Sequence, residues 1–361
     1  VHGLNLFLKP ITATNDKHIS VSVAWKQKPP FPFFFSFDPE NDGSRPTLTS
    51  FDSIFYRPIT GAKDLLVKKF SSSSGQNYLV IRTTEMSATT QAALSAFYLS
   101  YNSRMRSFWR DKRIIQYSLI LQPFINVRHD MSGISFGNGF IGKYTAPDSL
   151  TIGERRRVLA HEIGHYYLSG IKGHAGDNNE GQWFDEGFND YCTWFNLVSA
   201  GMMRATEFTD VMNDVFMHLY HSPIKNTPNS NIFENFWLLG DYSKLPYWRG
   251  SVFAFYLDNR ITLATGGKHS LRDCLLDLQA LTQHRETNEF SDDEFISIVN
   301  KYLGNQSIGD AFKQYITKGA SILFKADGLL PCFRLLQTDT VAPAIGIVNE
   351  NYFYQHFNFK R

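Results

Sequence analysis

The sequence predicts an α+β protein: a β-rich amino-terminal domain over residues 1–80, then a larger domain over 81–330 whose carboxy-terminal lobe is mostly helical. Three observations predict it. Apolar residues alternate with period two in I-S-V-S-V-A-W, residues 19–25, and a strand-like apolar run covers 77–82. Over 83–109 the apolar positions take helical spacing behind a Ser/Thr-rich start, and I-I-Q-Y-S-L-I-L-Q-P-F, 114–124, returns to a strand. From Thr151 onward the spacing is helical almost throughout, broken by polar loops at 226–231 and 265–269.

Within residues 1–80 nothing carries chemistry, and the region reads as a scaffold. The run P-P-F-P-F-F-F-S-F, 29–37, holds too many prolines for a central strand, since each removes a ladder donor; it reads as an edge or loop that packs aromatics. Further on, M-S-G-I-S-F-G-N-G-F-I-G-K-Y, 131–144, has four glycines that let another backbone or a substrate come close to a strand edge. Phe136, Gly137 and Asn138 are the candidate substrate contacts there. A bulged strand with glycine turns accounts for the same residues equally well.

The helix expected next carries L-A-H-E-I-G-H-Y-Y. Thr151 with Glu154 forms a capping box, no proline interrupts the run, and Ser169 and Gly170 end it. On a helix, His161 and His165 stand one turn apart on one face and can hold one metal ion, with Glu162 beside them as a general base. That is the zinc-hydrolase arrangement, and it needs a third protein ligand while leaving a position for water.

The candidate third ligand is Glu186, in G-Q-W-F-D-E-G-F-N-D-Y-C-T-W-F. This segment reads as a second helix with Trp183, Phe184, Phe188, Tyr191 and Phe195 as its apolar surface. Asp185 and Glu180 are rivals: Asp185 points away from the face that carries Glu186, and Glu180 precedes the helix. Asp190 falls one turn after Glu186, where an acid can accept the spare N–H of a ligand histidine and fix its tautomer. H-E-x-x-H alone arises by chance; paired in order with W-x-x-E-G-F-x-x-Y it is far more specific.

With both segments in place, the chain resembles the gluzincin metallopeptidases, and among them the glycyl aminopeptidase family, with the leucyl and alanyl aminopeptidases as more distant relatives. L-P-Y-W-R-G-S-V-F-A-F-Y-L-D-N-R-I, 245–261, T-G-G-K-H-S-L-R-D, 265–273, and F-S-D-D-E-F-I-S-I-V-N-K-Y-L-G with the helix that follows are similar to the family's later elements. The resemblance covers about residues 108–328. It implies a thermolysin-like catalytic domain, one zinc ion per chain on His161, His165 and Glu186, and a peptide or protein substrate. It also implies that Tyr247 donates to the oxyanion, with Tyr242 and Tyr191 as alternatives.

Two departures stand out. The gap between His165 and Glu186 is longer than in the larger aminopeptidases, an excess that a loop over 172–179 absorbs. In the related aminopeptidases a glutamate in the glycine-rich edge motif helps to hold the substrate's amino group, and here residues 132–142 contain no acid. Asp130, Glu180 and Asp185 are the substitutes. The reading is therefore a zinc aminopeptidase, with an endopeptidase on the same fold, or a non-catalytic binding module, as the alternatives. Residues 331–361 are unlike the family and have no assigned role.

Composition bounds the rest. With 361 residues, 43% of them hydrophobic, the chain fills ordinary cores, and 31 phenylalanines suit aromatic-rich ones. Thirty-six basic against 34 acidic residues leave a net charge of +2, no footprint for nucleic acid or an anionic membrane. No apolar run is long enough to span a membrane. The three cysteines, Cys192, Cys274 and Cys332, form no C-x-x-C site and read as buried thiols, with at most one disulfide. A secreted or periplasmic protein is expected if Val1 is a processed amino terminus; oligomeric state is not encoded in any motif.

Overall fold

The structure is a computed structural model that describes residues 18–21, 30–41, 46–50, 57–72, 75–84, 86–113, 115–124, 131–168, 171–173, 181–235, 240–285, 287–336 and 341–358. Two compact units divide the chain: residues 1–102 with 111–166, and residues 103–110 with 167–361.

The first unit opens with four short strands, β1 (His18–Val21), β2 (Phe33–Phe35), β3 (Thr47–Ser50) and β4 (Ile59–Gly61), paired antiparallel as β1–β3 and β2–β4. Of the expected strand over 19–25, the part beyond Val21 lies outside the described residues. Among the described residues the proline-rich run supplies the three residues of β2, which pair with β4 on one side, in keeping with the ladder donors that its prolines lack.

A five-stranded mixed sheet follows. Its members are β5 (Leu65–Ser72), β6 (Gly75–Arg82), β7 (Ile115–Pro123), β8 (Met131–Phe136) and β9 (Gly139–Tyr144), in the order β5-β6-β7-β9-β8. β6, β7 and β9 run parallel, and a parallel neighbour demands a crossover, which α1 (Ala88–Phe108) supplies between β6 and β7. Strands covered on both faces read as continuous apolar runs, as in Leu79–Val80–Ile81 and Leu119–Ile120–Leu121, all fully buried. Tyr78, Val80, Ile120 and Ile141 form one face's core with Phe34 and Phe136. On the other face the Tyr98 hydroxyl of α1 donates to the Tyr117 carbonyl at 3.0 Å. β8 is an edge strand, and its residues 133–135 are exposed.

α2 (Gly153–Leu168) carries the histidine motif. It starts at Gly153, whose φ of 52° suits a residue without a side chain, so Thr151 lies ahead of the first turn rather than capping it. Its expected stop at Ser169 and Gly170 lies outside the described residues.

In the second unit β10 (Lys172–Gly173) leads to a π-helical turn (Trp183–Phe188), then α3 (Asn189–Ser199), α4 (Ala205–His221), α5 (Asn229–Asn235), α6 (Gly240–Ala264) and α7 (Leu271–Thr282). β11 (Glu289–Phe290) pairs parallel with β10 and precedes α8 (Asp292–Leu303). The start of α8 is legible in F-S-D-D-E-F: the Glu294 N–H donates to Ser291 Oγ, and the Ser291 N–H donates back to Glu294 Oε2. Trp183, Phe184, Phe188, Phe253, Phe290, Phe295 and Phe312 pack at centroid distances of 4.9–6.4 Å, edge-to-face or tilted except for the stacked pair Phe290–Phe295.

Residues beyond 331 also have a place. β12 (Phe333–Leu336) and β13 (Ala344–Ile347) form an antiparallel pair, and α9 (Glu350–Phe357) lays Phe353 and Phe357 against Phe208 of α4 at 5.5 and 4.9 Å. His356 reaches the buried Asp258 of α6 at 2.7 Å. All three cysteines are buried and free, and among the described residues no helix is long and apolar enough to cross a membrane.

Candidate metal centre

α2 buries Leu159, Ala160, Ile163, Tyr167 and Leu168, and this apolar stripe fixes its rotation. The residues between them on the helix include the chemical ones: His161 is buried, whereas Glu162 and His165 are half-buried. The two imidazoles stand 4.5 Å apart between centroids and perpendicular to one another. From β7, Tyr117 packs edge-on against Tyr166 at 5.1 Å and its hydroxyl donates to the Glu162 carbonyl at 3.4 Å, tying the motif's turn to the sheet.

Glu186 lies in the π-helical turn, where the sequence predicted an ordinary α-helix. The wider turn follows from a close approach of backbones. A Cβ on Gly250 would lie 1.8 Å from the Trp183 carbonyl oxygen, and a Cβ on Gly187 would lie 2.4 Å from the Gly250 Cα. Ser251 Oγ also donates to the Gly187 carbonyl at 3.2 Å. Widened turns of this kind recur at functional sites because they re-aim a side chain within a helix. Trp183, Phe184 and Phe188 are buried, leaving the half-buried Asp185 and Glu186 as the polar pair of the turn.

One ligand atom from each of His161, His165 and Glu186 lies within 4.8 Å of the other two. Two imidazoles and one carboxylate at that spacing suit a tetrahedral zinc ion with one position left over, so the donor set fits the metal the motif implies. Of the rivals, Asp185 accepts a hydrogen bond from the Gly173 N–H at 3.3 Å, and Glu180 lies outside the described residues.

The other expected residues are distributed as follows. Asp190 is half-buried in the first turn of α3, four positions beyond Glu186, but the intervening π geometry changes the face relation that a uniform α-helix would give. Tyr247, on α6, is half-buried, with Lys244 Nζ 4.8 Å from its ring centroid. Tyr191 leaves the list of oxyanion donors: it is fully buried and its hydroxyl donates to Asp258 at 2.6 Å.

The expected substrate contacts Phe136, Gly137 and Asn138 lie at the end of β8 and in the turn that follows it. Phe136 is 5% exposed and belongs to the sheet core, because β8 turns that side chain inward, and the Asn138 amide donates to the Gln116 carbonyl at 2.7 Å. Gly137, at φ 27°, is the turn residue between β8 and β9. The exposed edge lies just before them, at residues 133–135. Asp130, proposed to hold an amino group, lies outside the described residues. Sequence reasoning missed Ser135, whose Oγ donates to Glu162 Oε2 at 2.8 Å. Period-two alternation along 131–136 places Ser135 on the face opposite Phe136, which is the one signal that could have drawn attention to it.

No family model matches the chain, and no curated protein matches it in sequence. Solved structures do match. An aminopeptidase N family protein from Idiomarina loihiensis superposes with a TM-score of 0.71 at 15% identity, over 87% of this chain and 57% of that one. Yeast LTA4 hydrolase gives 0.58 at 14% identity, over 85% and 47%. A mutant M1 zinc metallopeptidase from Deinococcus radiodurans, bound to a Tyr-Ser-Ala substrate, gives 0.52 at 14% identity, over 85% and 62%. The chain thus spans about half to three fifths of the length of these neighbours. Over that span, the mixed sheet followed by helices has the fold of M1 aminopeptidase N-like metallopeptidases.

Proposed function

We propose that this chain is the catalytic part of a zinc-dependent peptidase with a thermolysin-like catalytic domain, and that it acts as an aminopeptidase related to the glycyl aminopeptidases. The observation that carries the reading is the convergence of ligand atoms from His161, His165 and Glu186 within 4.8 Å, with Glu162 next to His161 in the chain. Zinc, when bound there, polarises a scissile carbonyl and lowers the pKa of water. Glu162 takes the proton of the attacking water and returns it to the leaving amine, a role that needs a carboxylate held at a defined angle. Ser135 Oγ supplies one such restraint. The Tyr247 hydroxyl donates to the developing oxyanion, and Asp190 orients a ligand histidine. Residues 133–135 are exposed on β8, which among the described residues pairs with β9 alone, and this strand edge is where an extended peptide would pair.

A second reading, an endopeptidase on the same fold, is favoured by one observation: the edge and turn over 132–142 contain no acid to hold a substrate's amino group. Metal analysis combined with two otherwise identical peptides, one with a free amino terminus and one acetylated, separates these cases. One zinc per chain is expected, with kcat/KM falling well over tenfold on acetylation because one charge pair worth roughly 2 kcal/mol is lost. Equal cleavage of both peptides establishes the endopeptidase reading. No turnover of either by zinc-loaded protein reduces the chain to a binding module.

A further inference from the structure

Arg57, just ahead of β4, reaches the turn that ends the edge strand β8. A Cβ on Gly137 would lie 3.9 Å from the Arg57 Nε. Gly137 is exposed and continues the open edge, where Ile134 is 57% exposed. It stands two positions beyond Ser135, whose Oγ donates to Glu162. At about 3.3 Å per residue of extended chain, the turn lies about two substrate residues along the edge from that acid. Arg57 also borders the histidine helix, since the titratable group that offsets its burial is Tyr166, the residue after His165.

The guanidinium is withdrawn from water without an anion in return. Burial pulls Arg57 below its ordinary pKa, and the Tyr166 phenol carries no charge in its protonated form. Among the described residues Arg57 has no hydrogen-bond partner and no acid at ion-pair distance. Arg113 is the contrast: its guanidinium lies 5.4 Å from the centre of the Tyr166 ring and is held by Asp111 at 2.9 and 3.1 Å. A half-buried cation without an acid is unfavourable on its own and becomes favourable when a ligand brings the anion. The lack of any acid over 132–142 then takes on a second meaning. This end of the edge presents a cation, which repels an ammonium and attracts a carboxylate.

We propose that Arg57 is a specificity-determining residue that binds a carboxylate of the peptide substrate, about two residues from the bond that is cut. The proposal rests on the reading of the site as a zinc peptidase, but on neither choice between aminopeptidase and endopeptidase. A carboxylate is the peptide group that an arginine fork grips through two parallel hydrogen bonds. Its source is an Asp or Glu side chain, or the terminal carboxylate of a short peptide.

Short peptides of one sequence, carrying Asp or Asn at each position in turn and ending in a carboxylate or an amide, test this on the zinc-loaded full chain. At one position, or at the chain end, kcat/KM is expected to be roughly tenfold or more higher for the carboxylate than for its amide, and that position names the source. Arg57→Met keeps the apolar stem and removes the charge. It should slow the carboxylate peptide until the two peptides are cleaved within about threefold of one another, with zinc content unchanged and a melting temperature at or above that of the wild type. Arg57→Lys should recover part of the discrimination. Dissociation constants for the same peptides on zinc-loaded Glu162→Gln, with and without Arg57→Met, give the comparison without turnover. A wild-type chain that cleaves nothing while Glu162→Gln binds with this preference sinks the peptidase reading and leaves the carboxylate site standing. No preference for a carboxylate in either measurement, or a preference that Arg57→Met retains, overturns the proposal. So does a fall in melting temperature that slows both peptides equally, the mark of a structural arginine.

Discussion

Ser135 Oγ donates to Glu162 Oε2 at 2.8 Å, joining the exposed edge of the sheet to the acid inside the histidine motif. A strand edge able to pair with a peptide and a carboxylate able to accept a water proton are thereby held to one another. Ser135→Ala removes the restraint and little else, since the side chain is exposed. We expect kcat/KM to fall about threefold to tenfold, on the order of 1 kcal/mol, with zinc content unchanged. Wild-type kinetics in this variant would make the contact incidental.

Metal binding and chemistry should separate by mutation. Glu162→Gln is expected to keep stoichiometric zinc and the fold while losing nearly all turnover, because only the proton acceptor is gone. Glu186→Ala should instead lose most of the zinc, read by metal analysis after dialysis. Full zinc retention in the Glu186→Ala protein would remove it from the ligand set.

Tyr247→Phe deletes one hydroxyl with little loss of packing. If that hydroxyl stabilises the oxyanion, kcat drops by about a hundred- to a thousandfold at unchanged zinc content and nearly unchanged KM. Unaltered kcat would transfer the role to Tyr242, since Tyr191 is engaged by Asp258.

Gly250→Ala tests the backbone approach behind the π-helical turn. The added methyl would meet the Trp183 carbonyl oxygen at 1.8 Å, a contact that only backbone movement relieves. A destabilisation of about 3 kcal/mol or more in urea unfolding is expected, together with weakened zinc binding as the turn carrying Glu186 shifts. Unfolding at the wild-type midpoint would show that the helices separate freely.

Asp258 provides an acid-stability test. Burial favours its neutral form, but the charge of His356 and hydrogen bonds from His356, the Tyr191 hydroxyl and the Leu271 N–H outweigh that and hold its carboxyl below the ordinary value. A folded pKa below the unfolded one, about 3.9, contributes stability that is complete above the unfolded value and is lost as pH falls through the folded one. Below about pH 4 the wild type should therefore lose stability more steeply than Asp258→Asn. At neutral pH the variant should be less stable by roughly 3 kcal/mol or more, because a buried partner is left uncompensated. Equal acid slopes would place the relevant protons elsewhere.

The sequence by itself determined the local chemistry: that His161 and His165 share a helix face, that Glu162 accompanies them, and that 77–82 and 114–124 are strand-like apolar runs. Each depends on residue spacing within one element, where a period of 2.0 or 3.6 decides which side chains lie together. Tertiary structure alone decided the π-helical turn under Glu186, because Gly187 and Gly250 are far apart in the chain and two glycines announce no partner. The same holds for Ser135 reaching Glu162, for Tyr191 turning to Asp258 instead of a substrate, and for α9 closing on α3 and α4 through Phe357. Contacts between distant segments depend on how whole elements pack, and side-chain shape and burial, rather than any local period, select among the ways they can do so.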